Sequence, residues 1–437
     1  MSKTTQNAGE EARQASHPRA HIALGAVLLA YLGLALGYNA VTRLNYAPDE
    51  PWHYKYVESI ALRGRLPSLT ETHQAQHPPL YYALAALWYR VGAIALRKPA
   101  LEHWVRFLST VMGIATLLLI FRMAQQFFPS RALPQVTTVA AAAFLPLFTY
   151  LSAVVNNDAL NILLFTATLL VLVRGCLEGF TVPRALGLGI LSGLGLLTKE
   201  SALAAVALCL AVIFWDGRAR RASPALIAKQ LAVYVLSGAL ICAWWFARNQ
   251  WLFGSFFIHA TAKEAQKDLA GVLATFMAQP GLLAWTLRQT LHRSLMSAFA
   301  PFWIVRGFLP LSIWLWSCAT WVVMVGVGLA IARALRTGVP SRERGRAGWT
   351  LALAGLLLAL GVLRYVLFVD YTAMEGGRYL LPAIGGMAVA FVLGIGGYAG
   401  RSAKAQAALW VLLPILFFAA DAFFLRVTYL FYALGIG

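Results

Sequence analysis

The chain has 437 residues, 60% of them apolar and only 12% charged, against roughly 25% charged in soluble domains. A water-soluble enzyme and a disordered chain are both excluded. The excess of 36 Lys and Arg over 17 Asp and Glu would suggest nucleic acid in a soluble chain. Here the cations sit in short loops between apolar runs of bilayer length, as the positive-inside bias requires. The sequence is therefore that of an all-α, polytopic membrane protein with no nucleic-acid partner.

In chain order, residues 1–20 are polar and read as a cytoplasmic tail, and the run from His21 is too long for a signal-peptide core. It reads as an uncleaved first span. Apolar spans fall near 21–42, 104–122, 133–152, 158–174, 184–198, 201–215, 226–247, 308–333, 348–369, 379–399 and 405–429, eleven in all. The run 79–96 decides the topology, because one added crossing flips every later loop. With 79–96 lying flat, fifteen Lys and Arg fall in short cytoplasmic loops and only Lys199 and Arg378 in short loops of the far side; a crossing would invert that bias. Residues 50–63 and 79–96 are thus expected as surface helices, with Trp52, Tyr54, Tyr81, Tyr82, Trp88 and Tyr89 at headgroup level. The expected organisation is a tail (1–20), a seven-span module (21–247) containing a first outer loop (43–103), a second outer loop (248–307) and a four-span region (308–437). Cys176, Cys209, Cys242 and Cys318 fall within or at the end of apolar segments, so no disulfide framework or metal-type Cys pair is expected.

Polar residues that interrupt apolar segments are costly and tend to be functional. The first loop opens Pro48-Asp49-Glu50-Pro51-Trp52-His53, where Pro51 suits the first position of a helix capped by Glu50. Both carboxylates then face the positive end of a helix dipole, making Asp49 a candidate base, unless the pair merely caps the helix. His53, one turn on, could share a proton, a hydroxyl or a metal with Asp49; Asp49, His53 and Asp158 leave a divalent-metal site open. His77 precedes the rigid Pro78-Pro79 pair. Asn156-Asn157-Asp158, Lys199-Glu200, Arg248-Asn249 and Gly377-Arg378-Tyr379 are further interruptions. Under the chosen topology all of them share one face. Arg364 and Asp421 are the exceptions within spans, and both are expected near a helix end.

Pro48-Asp49-Glu50, His77-Pro78-Pro79, Asn157-Asp158, Thr198-Lys199-Glu200, Arg248-Asn249 and Gly377-Arg378-Tyr379-Leu380 together resemble the GT-C superfamily of polyprenyl-phosphate-sugar glycosyltransferases. Bacterial aminoarabinose transferases and protein O-mannosyltransferases look closest. The resemblance covers roughly residues 21–250 and the Arg378 motif. It implies a GT-C fold of about eleven transmembrane helices in the bacterial inner membrane, its site facing the periplasm. It also implies transfer of a sugar from a polyprenyl-phosphate donor to a lipid or glycan acceptor of the envelope. Asp49 would be the base or orient the acceptor, with Glu50 and Asp158 as further catalytic carboxylates. Lys199, Arg248 and Arg378 would hold the donor phosphate, and His53, His77 and Tyr379 would contact substrate. Where some relatives carry Lys before the Pro-Pro pair this chain has His77, a phosphate ligand at neutral pH only if protonated. The large soluble outer domain of some relatives is absent, so a folded protein acceptor is less expected.

A sugar hydroxyl is a poor nucleophile near neutral pH and needs a carboxylate to remove its proton as it attacks. A phosphate leaving group needs cations more than a proton donor. One base and no opposing nucleophile favour a single displacement with inversion. A secondary transporter or lipid-linked-sugar flippase is the alternative, but transporters place ionisable groups near the bilayer midplane, whereas here they crowd one end of the spans.

Overall fold

The computed structural model describes residues 3–258, 269–279, 281–286, 342–368, 376–398 and 402–433. In chain order the helices are α1 (Lys3–Val41), α2 (Glu50–Arg63), α3 (Leu80–Ala93), α4 (Ala100–Phe127), α5 (Ala132–Ala143), α6 (Pro146–Leu151), α7 (Asp158–Glu178), α8 (Val182–Leu196), α9 (Leu203–Ala219), α10 (Pro224–Phe253), α11 (Leu269–Ala278), α12 (Arg342–Phe368), α13 (Ile384–Tyr398) and α14 (Ala403–Ala433). Short 3₁₀ turns occupy His73–Gln76, Glu200–Ala202 and Gly376–Ala383.

Among the described residues eight helical segments are long and apolar enough to cross a bilayer, and two shorter apolar helices, α5 and α8, accompany them. These correspond to ten of the eleven expected spans; the other, 308–333, lies outside the described residues. The span 133–152 is broken into α5 and α6 because Pro146 cannot donate back to the preceding turn and instead starts a new helix. The expected spans 184–198 and 201–215 appear as α8 and α9 around a turn at Lys199.

α3, with 14 residues and a length of about 21 Å, is in neither of these groups. Near its start the Tyr81 hydroxyl lies 3.3 Å from Ser109 Oγ. Near its end Trp88 and Trp104 each donate an indole N–H to the other's carbonyl at 2.9 Å, with the rings stacked at 4.5 Å. Both contacts are with the first ten residues of α4, so α2 and α3 stay at one end of the bundle.

Two cores hold the spans together. One gathers Tyr31, Tyr38, Leu117, Phe148 and Phe424 between α1, α4, α6 and α14; the other gathers Leu169, Leu188, Leu208 and Ala354 between α7, α8, α9 and α12. α8 meets α10 backbone to backbone: a Cβ at Gly189 would strike Ser237 and the Tyr234 carbonyl, and one at Gly193 would strike the Gly238 carbonyl. Small residues four apart are what such close approach in a membrane requires.

One expectation fails here. Asp421 sits in the middle of α14, fully buried, not near a helix end. Its carboxylate accepts from the Tyr38 hydroxyl at 2.8 Å and the Thr149 hydroxyl at 2.6 Å, so neighbouring helices supply the partners that lipid could not.

Candidate active site

The site begins with the eight residues that follow α1. The chain turns twice, Tyr46 N donating to Arg43 O at 3.2 Å and Glu50 N to Ala47 O at 3.1 Å. Asn45 and Asp49 take the left-handed conformation, φ 63° and 61°, which Asn and Asp tolerate best among residues with a side chain. The helix starts one residue earlier than the proline suggested: Asp49, not Glu50, is the N-cap residue. Its carbonyl accepts from both Trp52 N and His53 N at 3.0 Å, while its carboxylate makes no cap bond and turns elsewhere.

Glu50 has a different fate from its neighbour. The Arg106 guanidinium, 1% exposed, grips both Glu50 oxygens at 2.7 and 2.6 Å and the carbonyls of Asn39, Thr42 and Arg43 at 2.9, 2.7 and 3.2 Å. Glu50 Oε1 also accepts from Val155 N at 3.0 Å. The pair pins the Asp49 loop to α4 and to the α6–α7 turn, and Glu50 has no face left for substrate. Sequence reading missed Arg106; the signal was an arginine inside an apolar span.

The polar residues expected on one face do converge. Asp49 Oδ2 lies 3.2 Å from Arg378 Nη1, and Arg378 Nη2 donates to the Tyr379 hydroxyl at 3.2 Å. The Tyr379 ring has the Arg378 guanidinium 5.1 Å and Lys199 Nζ 5.2 Å from its centroid. Lys199 in turn pairs with Asp158 at 2.5 Å. The row Asp49–Arg378–Tyr379–Lys199–Asp158 thus joins the loop before α2, the turn before α13, the α8–α9 turn and the start of α7. It is graded in access: the Asp158 and Lys199 side chains are 5% and 10% exposed, those of Arg378 and Asp49 18% and 36%.

The start of α7 is capped just before Asp158. Asn156 is the residue that satisfies the α7 terminus, its Oδ1 accepting from Ala159 N at 3.1 Å; Asn157 makes no side-chain cap and reaches Thr198 O at 3.4 Å. Asp158 is left to Lys199.

His53 and His77 stand behind this row as a stack, ring centroids 6.4 Å apart and nearly parallel. His53 Nδ1 lies 2.8 Å from the Tyr82 hydroxyl, and Tyr82 stacks on Tyr56 at 3.8 Å. Burial pushes His53 down to about 3, and the Lys199 charge adds to it; the same causes, with His53 added, hold His77 well below its ordinary range. Both imidazoles are neutral at pH 7, so His77 is no cationic stand-in for a lysine.

Arg248 is not in the row. Its guanidinium lies over Trp245 at 5.0 Å and lines a cavity of about 280 Å³ with Arg65, Ser68, Thr70 and Phe253. Next to it, sharing Arg65 and Leu66, an apolar cavity of about 390 Å³ runs between Ile60, Pro79, Leu80, Leu197 and Trp244. Among the described residues no three of His, Cys, Asp and Glu gather as metal ligands. Asp49 and Asp158 each already face a cation and His53 Nδ1 faces a hydroxyl, a donor set built for paired charges and not for a divalent ion.

Residues 76–247 match the family model described as dolichyl-phosphate-mannose-protein mannosyltransferase. Among solved structures the chain is similar to the oligosaccharyltransferase of Archaeoglobus fulgidus, at 13% identity and TM-score 0.54 over 92% of this chain and 55% of that one. It is also similar to the arabinosyltransferase EmbB of Mycobacterium smegmatis, at 14% identity and TM-score 0.51 over 94% and 37%. ArnT of Cupriavidus metallidurans aligns at 15% identity and TM-score 0.42 over 86% and 78%. This chain therefore spans about half the length of the archaeal enzyme and little more than a third of EmbB. No curated protein sequence matches it.

Proposed function

Starting from a multi-pass membrane chain of the GT-C fold, we propose that it is a glycosyltransferase that moves a sugar from a polyprenyl-phosphate donor to an acceptor on the extracytoplasmic face. Asp49 is the base. One observation carries the reading: a part-exposed carboxylate, Asp49, stands at one end of a row of paired charges, and the other end, at Lys199, follows two residues after Leu197 of an apolar cavity that the half-exposed Trp244 also lines. The family description of residues 76–247 adds a lipid-phosphate-linked sugar as the donor class.

Chemically, the acceptor hydroxyl approaches Asp49 from its exposed side and loses its proton to that carboxylate as its oxygen attacks the anomeric carbon. The bond from that carbon to the phosphate oxygen breaks, and the charge gathering on the phosphate is met by Arg378 and Lys199. These cations are held in place beforehand by Tyr379 and Asp158, so little reorganisation is needed. Asp158 serves as the counter-charge that positions Lys199. The isoprenoid chain lies along Leu66, Leu80 and Trp244. A second displacement would need a nucleophile across the ring, and the row offers none, so the anomeric configuration inverts. The enzyme works in the inner membrane of a bacterium with its site toward the periplasm.

The test is sugar transfer from a panel of polyprenyl-phosphate sugars by the purified chain in lipid. Product from wild type and none from Asp49→Asn is the expected result; NMR of the new glycosidic bond should show the opposite anomer to the donor's. Equal turnover by the Asn variant would sink the base assignment, and retention would sink the single displacement. Transport of the lipid-linked sugar without transfer would favour the flippase alternative.

A further inference from the structure

Around Asp49 the sequence places a chemically paired residue every third position: Arg43, Tyr46, Asp49, Trp52, Lys55. The two flanking pairs share one geometry. The Arg43 guanidinium lies 4.4 Å from the Tyr46 ring centroid and Lys55 Nζ 4.2 Å from that of Trp52, inside the ~6 Å of a cation–π contact. Tyr46 is 48% exposed and Trp52 37%, and both cations are exposed with them. Among the described residues neither Arg43 nor Lys55 takes part in an ion pair, so the rim of the site carries two uncompensated positive charges, whereas the row behind it is balanced.

Neither ring is loose. Tyr46 meets the edge of Tyr432 at 6.4 Å. Trp52 meets the His73 ring at 4.7 Å, and its carbonyl accepts from the Thr72 hydroxyl at 3.0 Å. An aromatic that only marks the membrane interface needs an apolar body and a wet edge; it does not need bracing from another loop, nor a matching pair at the same sequence distance on the other side of Asp49.

We infer that Arg43–Tyr46 and Lys55–Trp52 form the acceptor-binding rim, and that the acceptor is a sugar bearing an anionic group, a carboxylate or a phosphate. The C–H face of a sugar ring lies on an aromatic face, its hydroxyls stay at the wet edge, and an acidic substituent reaches the adjacent cation. The inference rests on the reading of Asp49 as base, because the two pairs flank in sequence the most exposed carboxylate of the charged row. The anionic sugar can be part of a free glycan or of a glycolipid headgroup.

The experiment uses the full chain in nanodiscs and fluorescently labelled trigalacturonate, with maltotriose as the neutral counterpart and undecaprenyl phosphate as a separate probe of the donor side. Trigalacturonate should bind more tightly than maltotriose, and the tighter binding should fade with salt. Arg43→Gln with Lys55→Gln, and separately Trp52→Ala, should each weaken it about tenfold. Trp52→Phe, which keeps a ring, should stay near wild type at an unchanged melting temperature. Competition by glucuronosyl diacylglycerol placed in the nanodisc identifies a lipid-anchored acceptor; binding that resists it identifies a free glycan. Equal binding of acidic and neutral sugars, or variants that bind like wild type, would overturn the inference. So would equal competition from phosphatidylglycerol, which would make the rim a headgroup anchor. Loss of undecaprenyl phosphate binding in wild type, with the trigalacturonate pattern intact, would fell the transferase reading and leave the rim standing.

Discussion

At the end of the bundle away from the site, Asp216 of α9 lies 2.8 Å from Arg220 and 2.8 Å from Arg346 with its side chain 1% exposed, and Arg220 continues to the Cys176 carbonyl at 2.5 Å. At the site end, Asp49 faces one arginine at 3.2 Å and keeps 36% of its side chain open. Both are carboxylates beside guanidinium groups. In the first case the carboxylate is closed in by arginines that tie α9 to α7 and α12; in the second the carboxylate retains a free face. Glu50, one residue from Asp49, belongs with Asp216: buried, doubly gripped and closed to substrate. A carboxylate–cation pair in this molecule thus says little about chemistry until its exposure is known.

The contrast breaks most visibly at Asp49. Asp49→Asn should lower kcat about 10²–10⁴-fold, the usual worth of a general base, with donor binding and melting temperature close to wild type. Asp216→Asn should do the reverse, removing about 3–5 kcal/mol of stability by leaving arginines unpaired while turnover per folded molecule is kept. A dead but fully stable Asp216→Asn enzyme would contradict the comparison. Glu50→Gln sharpens it from within the site: stability should fall by a similar ~3–5 kcal/mol because Arg106 loses its buried partner, and lost activity should track lost folded protein in a thermal melt. If Glu50→Gln kept its melting temperature and lost turnover, the residue would be catalytic after all.

Arg378→Lys is a smaller change. It keeps the charge but loses the fork that reaches both Asp49 and Tyr379. Steady-state kinetics should show kcat/KM down by about 1.5–3 kcal/mol, roughly ten- to hundredfold. The smallest effect concerns pH. His53 is held at about 3 in the folded chain, against about 6.5 when unfolded. Between those values the unfolded chain takes up a proton that the folded chain refuses. The contribution is therefore whole above pH ~6.5 and lost as pH falls toward 3, at up to ~1.4 kcal/mol per unit. Melting curves across that range should flatten in His53→Gln; an unchanged slope would mean His53 is not the group responsible.

Some of this was readable in advance and some was not. The spans were, because burial in lipid demands long apolar runs and leaves their polar interruptions conspicuous. The expected position of 79–96 agrees with α3 packing beside the start of α4, since loop charges respond to topology. Within the site, Asp49, Asp158, Lys199 and Arg378 stand out as charges between apolar segments, and they do lie together. The division of labour between Asp49 and Glu50 was not legible, because it depends on Arg106, 56 positions from Glu50. The α7 cap went to Asn156 and not to Asn157 or Asp158, since Lys199 claims Asp158 from another turn. The sequence equally offered Arg248 as one of three phosphate ligands, but Trp245 and the residues around Arg65 draw it to a neighbouring cavity.

The order of residues alone determined that this chain lives in a bilayer, where its described apolar helices fall and which end of them gathers the mixed charges, because solvation in hydrocarbon acts on each segment separately. Only the folded arrangement decided which carboxylate is open, which histidines stay neutral and which cation stands where. Those properties come from burial and from partners tens to hundreds of residues away, as with Arg378 beside Asp49 across 329 positions, and no local pattern encodes them.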